Sequence, residues 1–311
     1  MLGKVIEGNF GTAWCFLKIN DPLVAWETYR GEIISSDYYH DGYPIISPRS
    51  ASVLRMLGSK IVATNELLLE SVRQKYFPNK VSRLTGAFLF ENKADADRSI
   101  AMWGDEVGHF NPFALTEVNP SLDTYCSKHD SNWITFYLGK ESLDLSWMHH
   151  YWNGDICPEY NVPLWELIAC TRCYICNNEL RQQAYNNIRE RFNTIFSRKT
   201  LSLLEQARLA AYLGSDLGHS TPYLMQTSPD TLTVRYIISM VDAKNPEYLE
   251  RLYSYVRDPK NTKYINFRDL NIGKDEDCFA VPDFRKMEFS VNIPDVVLKT
   301  NFNVGGFAHL S

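Results

Sequence analysis

The stretch Pro163-Leu164-Trp165-Glu166-Leu167-Ile168-Ala169-Cys170-Thr171-Arg172-Cys173-Tyr174-Ile175-Cys176 decides how this chain is read. Its apolar run is bounded by Pro163 and broken only at Thr171-Arg172, which predicts one strand or two from Leu164 to Cys176. A carboxylate sits in the middle of that run. Strand alternation places Glu166 on the face opposite Trp165 and Leu167. A carboxylate there must face solvent, be paired, or take part in chemistry. The spacing Cys170-x-x-Cys173-x-x-Cys176 has the thiols of an iron–sulfur or zinc site. No fourth cysteine lies close by, and free Cys packs well as a small hydrophobe, so a buried strand is the preferred reading.

Working outward toward the N-terminus, Tyr151-Trp152-Asn153-Gly154-Asp155 forms an aromatic turn at the end of a helix expected over Leu143–Trp152. The adjacent His149 and His150 would diverge on a helix and make a poor chelating pair. Strands are expected at Trp133–Tyr137, Phe113–Val118 and Leu84–Phe90, with helices at Pro120–Lys128 and Ala94–Trp103. Asn65–Tyr76 reads as a helix with Leu68, Leu69, Val72 and Tyr76 on one face, and Glu70 and Arg73 stand one step apart on it, placed to pair. Ser50–Leu57 reads as a helix capped by Gly58. A polar loop, Ser35 to Pro48, follows a strand at Tyr29–Ile34, and Gly11 to Trp26 reads as partly helical.

Toward the C-terminus the pattern becomes helical. Leu180, Ala184, Ile188, Phe192 and Ile195 keep helical spacing, and Leu201–Tyr212 forms a second helix ending at Gly214. Ser228-Pro229-Asp230 is read as the start of a third, with Val234, Ile237, Ile238 and Val241 on one side. Asn245-Pro246 starts a fourth, and Pro259–Ser311 has no clean period. The expected organisation is therefore α+β: a lead-in over 1–28, a core of short strands with helices over 29–178, and a mainly helical extension with an irregular tail over 179–311.

The chain has 311 residues, 45% hydrophobic, with a net charge of −5. That balance argues against broad, non-specific nucleic-acid binding and leaves room for a local basic track, for which Arg181–Lys199 is the candidate. No run of about 18 apolar residues exists, so no spanning helix is expected. Met1–Asn9 lacks the apolar core of a signal peptide, and seven unevenly spaced cysteines fit a reducing, cytoplasmic setting. The phosphate-loop, G-x-G-x-x-G, H-E-x-x-H and G-x-S-x-G patterns are absent, which disfavours most nucleotide kinases, dehydrogenases, zinc proteases and α/β-hydrolases.

Taken together, three segments resemble the ADP-ribosyltransferase family. Tyr29-Arg30-Gly31 resembles the family's opening. Val81-Ser82-Arg83-Leu84-Thr85-Gly86-Ala87-Phe88-Leu89-Phe90, followed by Lys93-Ala94-Asp95-Ala96, resembles its middle strand and helix, without the Ser-Thr-Ser form. Tyr151-Trp152-Asn153-Gly154 followed by Trp165-Glu166-Leu167 is similar to its catalytic ending. The three lie in order between Thr28 and Cys176. The resemblance implies an ADP-ribosyltransferase-like core and an enzyme that takes NAD as substrate, needs no metal, and moves ADP-ribose to a macromolecule, either nucleic acid (RNA or DNA) or protein. Glu166 would be the catalytic carboxylate. Arg30 beside Tyr29, or Arg49 in Ser47-Pro48-Arg49, would hold the pyrophosphate bidentately. Ser82 and Thr85 compete for the hydroxyl role, and Phe88 or Tyr151 would stack on nicotinamide. Toxin and phage-defence roles follow from the same resemblance, as does a neutralising antitoxin partner; no membrane is implied. Two other readings stand beside it. One is a non-catalytic interaction module, in which Glu166, Arg30 and Ser82 do not converge and Arg83 is a surface salt bridge. The other is a glycoside-type enzyme pairing Glu166 with Asp155 or Glu159.

Overall fold

Why the run 164–176 is apolar on both faces becomes clear in a computed structural model, which describes residues 5–7, 11–36, 44–57, 59–103, 112–141, 144–261, 280–300 and 302–303. In chain order the strands are β1 (Val5–Glu7), β2 (Ala13–Phe16), β3 (Glu32–Ile34), β4 (Ala87–Leu89), β5 (Leu115–Pro120), β6 (Tyr125–Asp130), β7 (Trp165–Cys170), β8 (Arg172–Ile175), β9 (Ser220–Ser228), β10 (Thr231–Ile238) and β11 (Phe289–Asn292). The helices are α1 (Pro22–Arg30), α2 (Pro48–Leu54), α3 (Ile61–Tyr76), α4 (Lys93–Trp103), α5 (Asn132–Tyr137), α6 (Ser146–Asn153), α7 (Asn178–Glu190), α8 (Thr200–Tyr212), α9 (Pro246–Arg257) and α10 (Asp295–Leu298). The chain is mixed α+β.

Two four-stranded antiparallel sheets, in orders β1-β6-β7-β4 and β2-β5-β8-β3, share a core. Leu89, Cys126, Leu167 and Ala169 from the first meet Ala13, Cys15, Val118, Cys173 and Ile175 from the second. The chain passes from β7 in one sheet to β8 in the other through Thr171 alone, whose N–H is taken by Ser35 Oγ at 2.8 Å. The outer face of β7 is covered as well: Ile168 and Cys170 pack in a second core with Leu67 and Leu68 of α3 and Met148, Tyr151 and Trp152 of α6. A strand buried on both faces reads as a continuous apolar run.

The expected boundary near residue 178 is crossed by packing. Leu224, Leu232 and Val234 of the β9–β10 hairpin, with Ile293 and Val297, belong to the same core as α3 and α6. Leu23, Ala25 and Trp26 of α1 pack with Ala184, Ile188, Leu203 and Leu204 of α7 and α8.

Several elements differ from their sequence expectation, each for a physical reason. Asp21 caps α1 by accepting from the N–H groups of Leu23 and Val24, Pro22 occupies its first position, and Gly31 closes it at φ 103. The helix thus takes in Tyr29 and Arg30, and the strand expected from residue 29 begins at Glu32. Within 11–26, residues Ala13–Phe16 form a strand paired with β5. Helix and strand exchange at 120–137: β6 lies where a helix was expected, placed between β1 and β7, and α5 lies where a strand was expected. The helix expected after Ser228 is the hairpin β9–β10, extended by β11 into a third antiparallel sheet. Val234, Ile237 and Ile238 imitate helical spacing, but the β-branched segment Thr231–Ile238 pairs with β9 along its whole length. The helices α2, α3, α4, α6, α7, α8 and α9 stand where periodicity places them, except that α7 ends at Glu190 and leaves Phe192 and Ile195 of the expected face beyond it. The expected cap at Gly58 and residues 37–43 of the Ser35–Pro48 loop lie outside the described residues.

Candidate functional site

The turn before β4 brings Arg83 against the face of β7 that carries Glu166. Gly86 permits the approach: a Cβ there would stand 2.5 Å from Ile168 Cγ2 and 2.9 Å from the Ser82 carbonyl oxygen. Arg83 is buried, and its guanidinium ties three elements together. Nε and Nη2 donate to the Glu66 carboxylate of α3 at 3.1 and 3.2 Å. Nη1 donates to Glu166 Oε1 at 2.8 Å and to Tyr151 Oη at 2.7 Å. Tyr151 in turn donates to Glu166 Oε1 at 2.9 Å. Both bonds fall on Oε1, so Glu166 Oε2 has no hydrogen-bond partner among the described residues.

Arg49, at the start of α2, forms the edge of this group. Its Nη2 donates to Glu66 Oε1 at 2.8 Å, its side chain is 34% exposed, and its buried Nη1 has no partner among the described residues. The Phe88 ring lies beneath both guanidinium groups, 4.5 Å from Arg49 Cζ and 4.9 Å from Arg83 Cζ. Two carboxylates and two guanidinium groups thus balance in a largely buried space. Burial pushes the Glu66 carboxyl upward, but Arg83 and Arg49 more than offset it and hold it at about 2. Burial drives the Tyr151 phenol far above its ordinary range, so it remains a neutral donor. Arg83, despite burial, is held firmly protonated by Glu66, Tyr151 and Glu166.

Behind the group lies His129, directly across from Glu166 in the β6–β7 register. It is fully buried and stacks on Tyr151 with ring centroids 4.5 Å apart and planes at 21°.

Of the residues singled out by sequence, Arg49, Phe88, Tyr151 and Glu166 converge here. Ser82 is adjacent but committed elsewhere: its hydroxyl donates to Glu70 Oε2 at 2.7 Å, beside the Glu70–Arg73 pair. The Thr85 hydroxyl donates to the Ser82 carbonyl at 3.4 Å. Arg30 sits in a different buried cluster, with Glu27 at 3.2 Å, Glu32 at 3.0 Å and the Ser215 carbonyl at 3.2 Å. Tyr29 donates to Glu205 of α8. No hydrogen bond or ion pair joins Tyr29 or Arg30 to Glu166 among the described residues. Asp155 is paired at the surface with His150 at 2.8 Å, and Glu159 accepts from the Tyr137 hydroxyl. Cys170 packs in the core under α3 and α6, Cys173 in the core between the sheets, and Cys176 is exposed.

Sequence reasoning missed Glu66 and His129 and left Arg83 open between a functional role and a surface salt bridge, whereas it is buried. A signal existed for Glu66: with Leu69 and Arg73 it lies on the buried stripe of α3, where an acid needs a partner. His129 carries no such signal, because its neighbours become known only once β6 pairs with β7.

A family model described as "Protein of unknown function (DUF2441)" matches residues 16–171. The match spans half the chain, and the chain belongs to that family. No curated protein and no solved structure matches it. No described helix is long and apolar enough to cross a membrane.

Proposed function

We propose that this DUF2441 member breaks the nicotinamide–ribose bond of NAD and transfers ADP-ribose to a macromolecule, with Glu166 as the catalytic carboxylate. The observation that carries the reading is the convergence of Arg49, Phe88, Tyr151 and Glu166, drawn from four separate segments, on one cluster whose outermost guanidinium has an unpartnered nitrogen. NAD brings two negative charges at its pyrophosphate, and the fork of Arg49 suits them. When the glycosidic C–N bond breaks, its electron pair leaves with nicotinamide and positive charge develops on the ribose. Glu166 stabilises that charge in a site sheltered from water, and its Oε2 can accept from a ribose hydroxyl. Tyr151 and Arg83 hold Oε1 and fix the carboxylate in place. The acceptor nucleophile then attacks the ribose carbon and passes its proton to the Glu166 carboxylate. Five of the six described cysteines are buried, and a reducing compartment is the setting we propose.

The test is labelled NAD incubated separately with RNA, single-stranded DNA and cell protein. Transfer to one pool by the wild type, lost in Glu166→Gln, supports the reading and names the acceptor class. Absence of both transfer and nicotinamide release in the wild type refutes it. The ion-paired group would then stand as an internal tie between α3, α6 and β7.

A further inference from the structure

We propose that His129 is a positioning residue for the Glu166–Tyr151 pair, acting through the ring of Tyr151. The proposal rests on the reading of Glu166 as the catalytic carboxylate, although its first test below does not.

The geometry gives His129 one orientation. Its Nδ1 lies 2.8 Å from the Tyr151 carbonyl oxygen, which can only accept, so Nδ1 carries the proton. One ring face lies against the Tyr151 ring, and Trp152 meets it edge-on at 5.1 Å and 88°. A ring bonded at Nδ1 and contacted by two aromatics has little freedom to turn. The Tyr151 ring shares that restraint, and its hydroxyl reaches Glu166 Oε1 at 2.9 Å. His129 therefore touches neither the carboxylate's oxygens nor the open edge at Arg49, yet it sets where the Tyr151 donor points.

The imidazole in this stack is neutral. Burial first, and then the charges of Lys80 and Arg83, hold the His129 proton affinity down to about 3. Lys80 is itself buried, and among the described residues its Nζ has no hydrogen-bond partner. Nε2 of His129 is a buried acceptor without a partner among the described residues. The flat ring against Tyr151 is the functional feature at this position.

Two variants separate the ring from the hydrogen bond. His129→Asn keeps a donor where Nδ1 stands and removes the stacked ring. His129→Phe keeps a flat ring and removes the donor. The readout is NMR of protein labelled at the tyrosine ζ-carbon, with the Tyr151 line assigned by its loss in Tyr151→Phe and its position without the hydrogen bond calibrated by Glu166→Leu, which removes the acceptor. We expect His129→Asn to move the Tyr151 line toward its place in Glu166→Leu, and His129→Phe to leave it within a linewidth. An unmoved line in His129→Asn, or equal movement in both variants, overturns the proposal. In the nicotinamide-release assay, His129→Asn should lower kcat about 10- to 100-fold with KM for NAD unchanged, the scale of a misplaced group. His129→Phe should restore most of that loss. A raised KM with unchanged kcat overturns the positioning role. If the wild type releases no nicotinamide, the proposed function fails, and the Tyr151 line still decides what His129 does.

Discussion

Lowering the pH should destabilise this protein through His129 before it does so through Glu66. In the folded chain the His129 imidazole is buried beside Lys80 and Arg83 and takes a proton only near pH 3, against an ordinary value of 6.5. In the unfolded chain it protonates at the ordinary value. Between the two, the unfolded state binds one proton more than the folded state, so stability falls as pH falls. The loss grows by about 1.4 kcal/mol per pH unit below the ordinary value and reaches about 2 kcal/mol on going from pH 7 to pH 5. Glu66 acts in the same direction in a lower window. Held at about 2 by Arg83 and Arg49, against an ordinary 4.5, it stabilises the fold above 4.5, and that contribution is lost as pH falls toward 2. Urea unfolding of the wild type and of His129→Phe at pH 7 and pH 5 isolates the histidine term. The wild type should lose about 2 kcal/mol more than the variant between the two conditions. Equal losses would mean that His129 titrates normally in the folded protein and that its burial against Tyr151 and Trp152 is wrong.

Two further outcomes follow from the packing of the site. Arg83→Met should destabilise by about 3–5 kcal/mol, because Glu66 and Glu166 are left as buried charges. Thermal melts should recover much of that loss when both acids are also changed to Gln, and no recovery would show that the ion pairs are not what Arg83 supplies. Gly86→Ala should cost about 1–3 kcal/mol by forcing a methyl against Ile168 and the Ser82 carbonyl, while Gly11→Ala, which meets nothing within 4 Å, should stay within about 0.5 kcal/mol. Urea midpoints for the two variants check this, and similar losses at both glycines would mean that the turn does not press on β7.

What the sequence by itself determined is what short-range periodicity can carry. The apolar stripe of α3, the Leu180, Ala184 and Ile188 spacing of α7, the Asn245-Pro246 entry to α9 and the unbroken run of β7 are visible without tertiary context, because each signal lies within a few neighbouring residues. Glu166 stood out for the same reason, as a charge inside an apolar strand. Where local signals conflicted, long-range pairing won. Thr231–Ile238 has residues at helical spacing yet lies between β9 and β11, and Tyr125–Asp130 became a strand because β1 and β7 offer it two edges. The Tyr29-Arg30 segment looked like a strand opening, but Asp21, Pro22 and Gly31 made it the last turn of a helix, turning Arg30 toward Glu27 and Glu32 rather than toward Glu166. Which charges meet was decided by the tertiary structure alone. Arg83 joins Glu66, Tyr151 and Glu166 across 17, 68 and 83 residues of chain. No local pattern encodes a contact of that separation, because it exists only after β4, α3 and α6 have packed against β7.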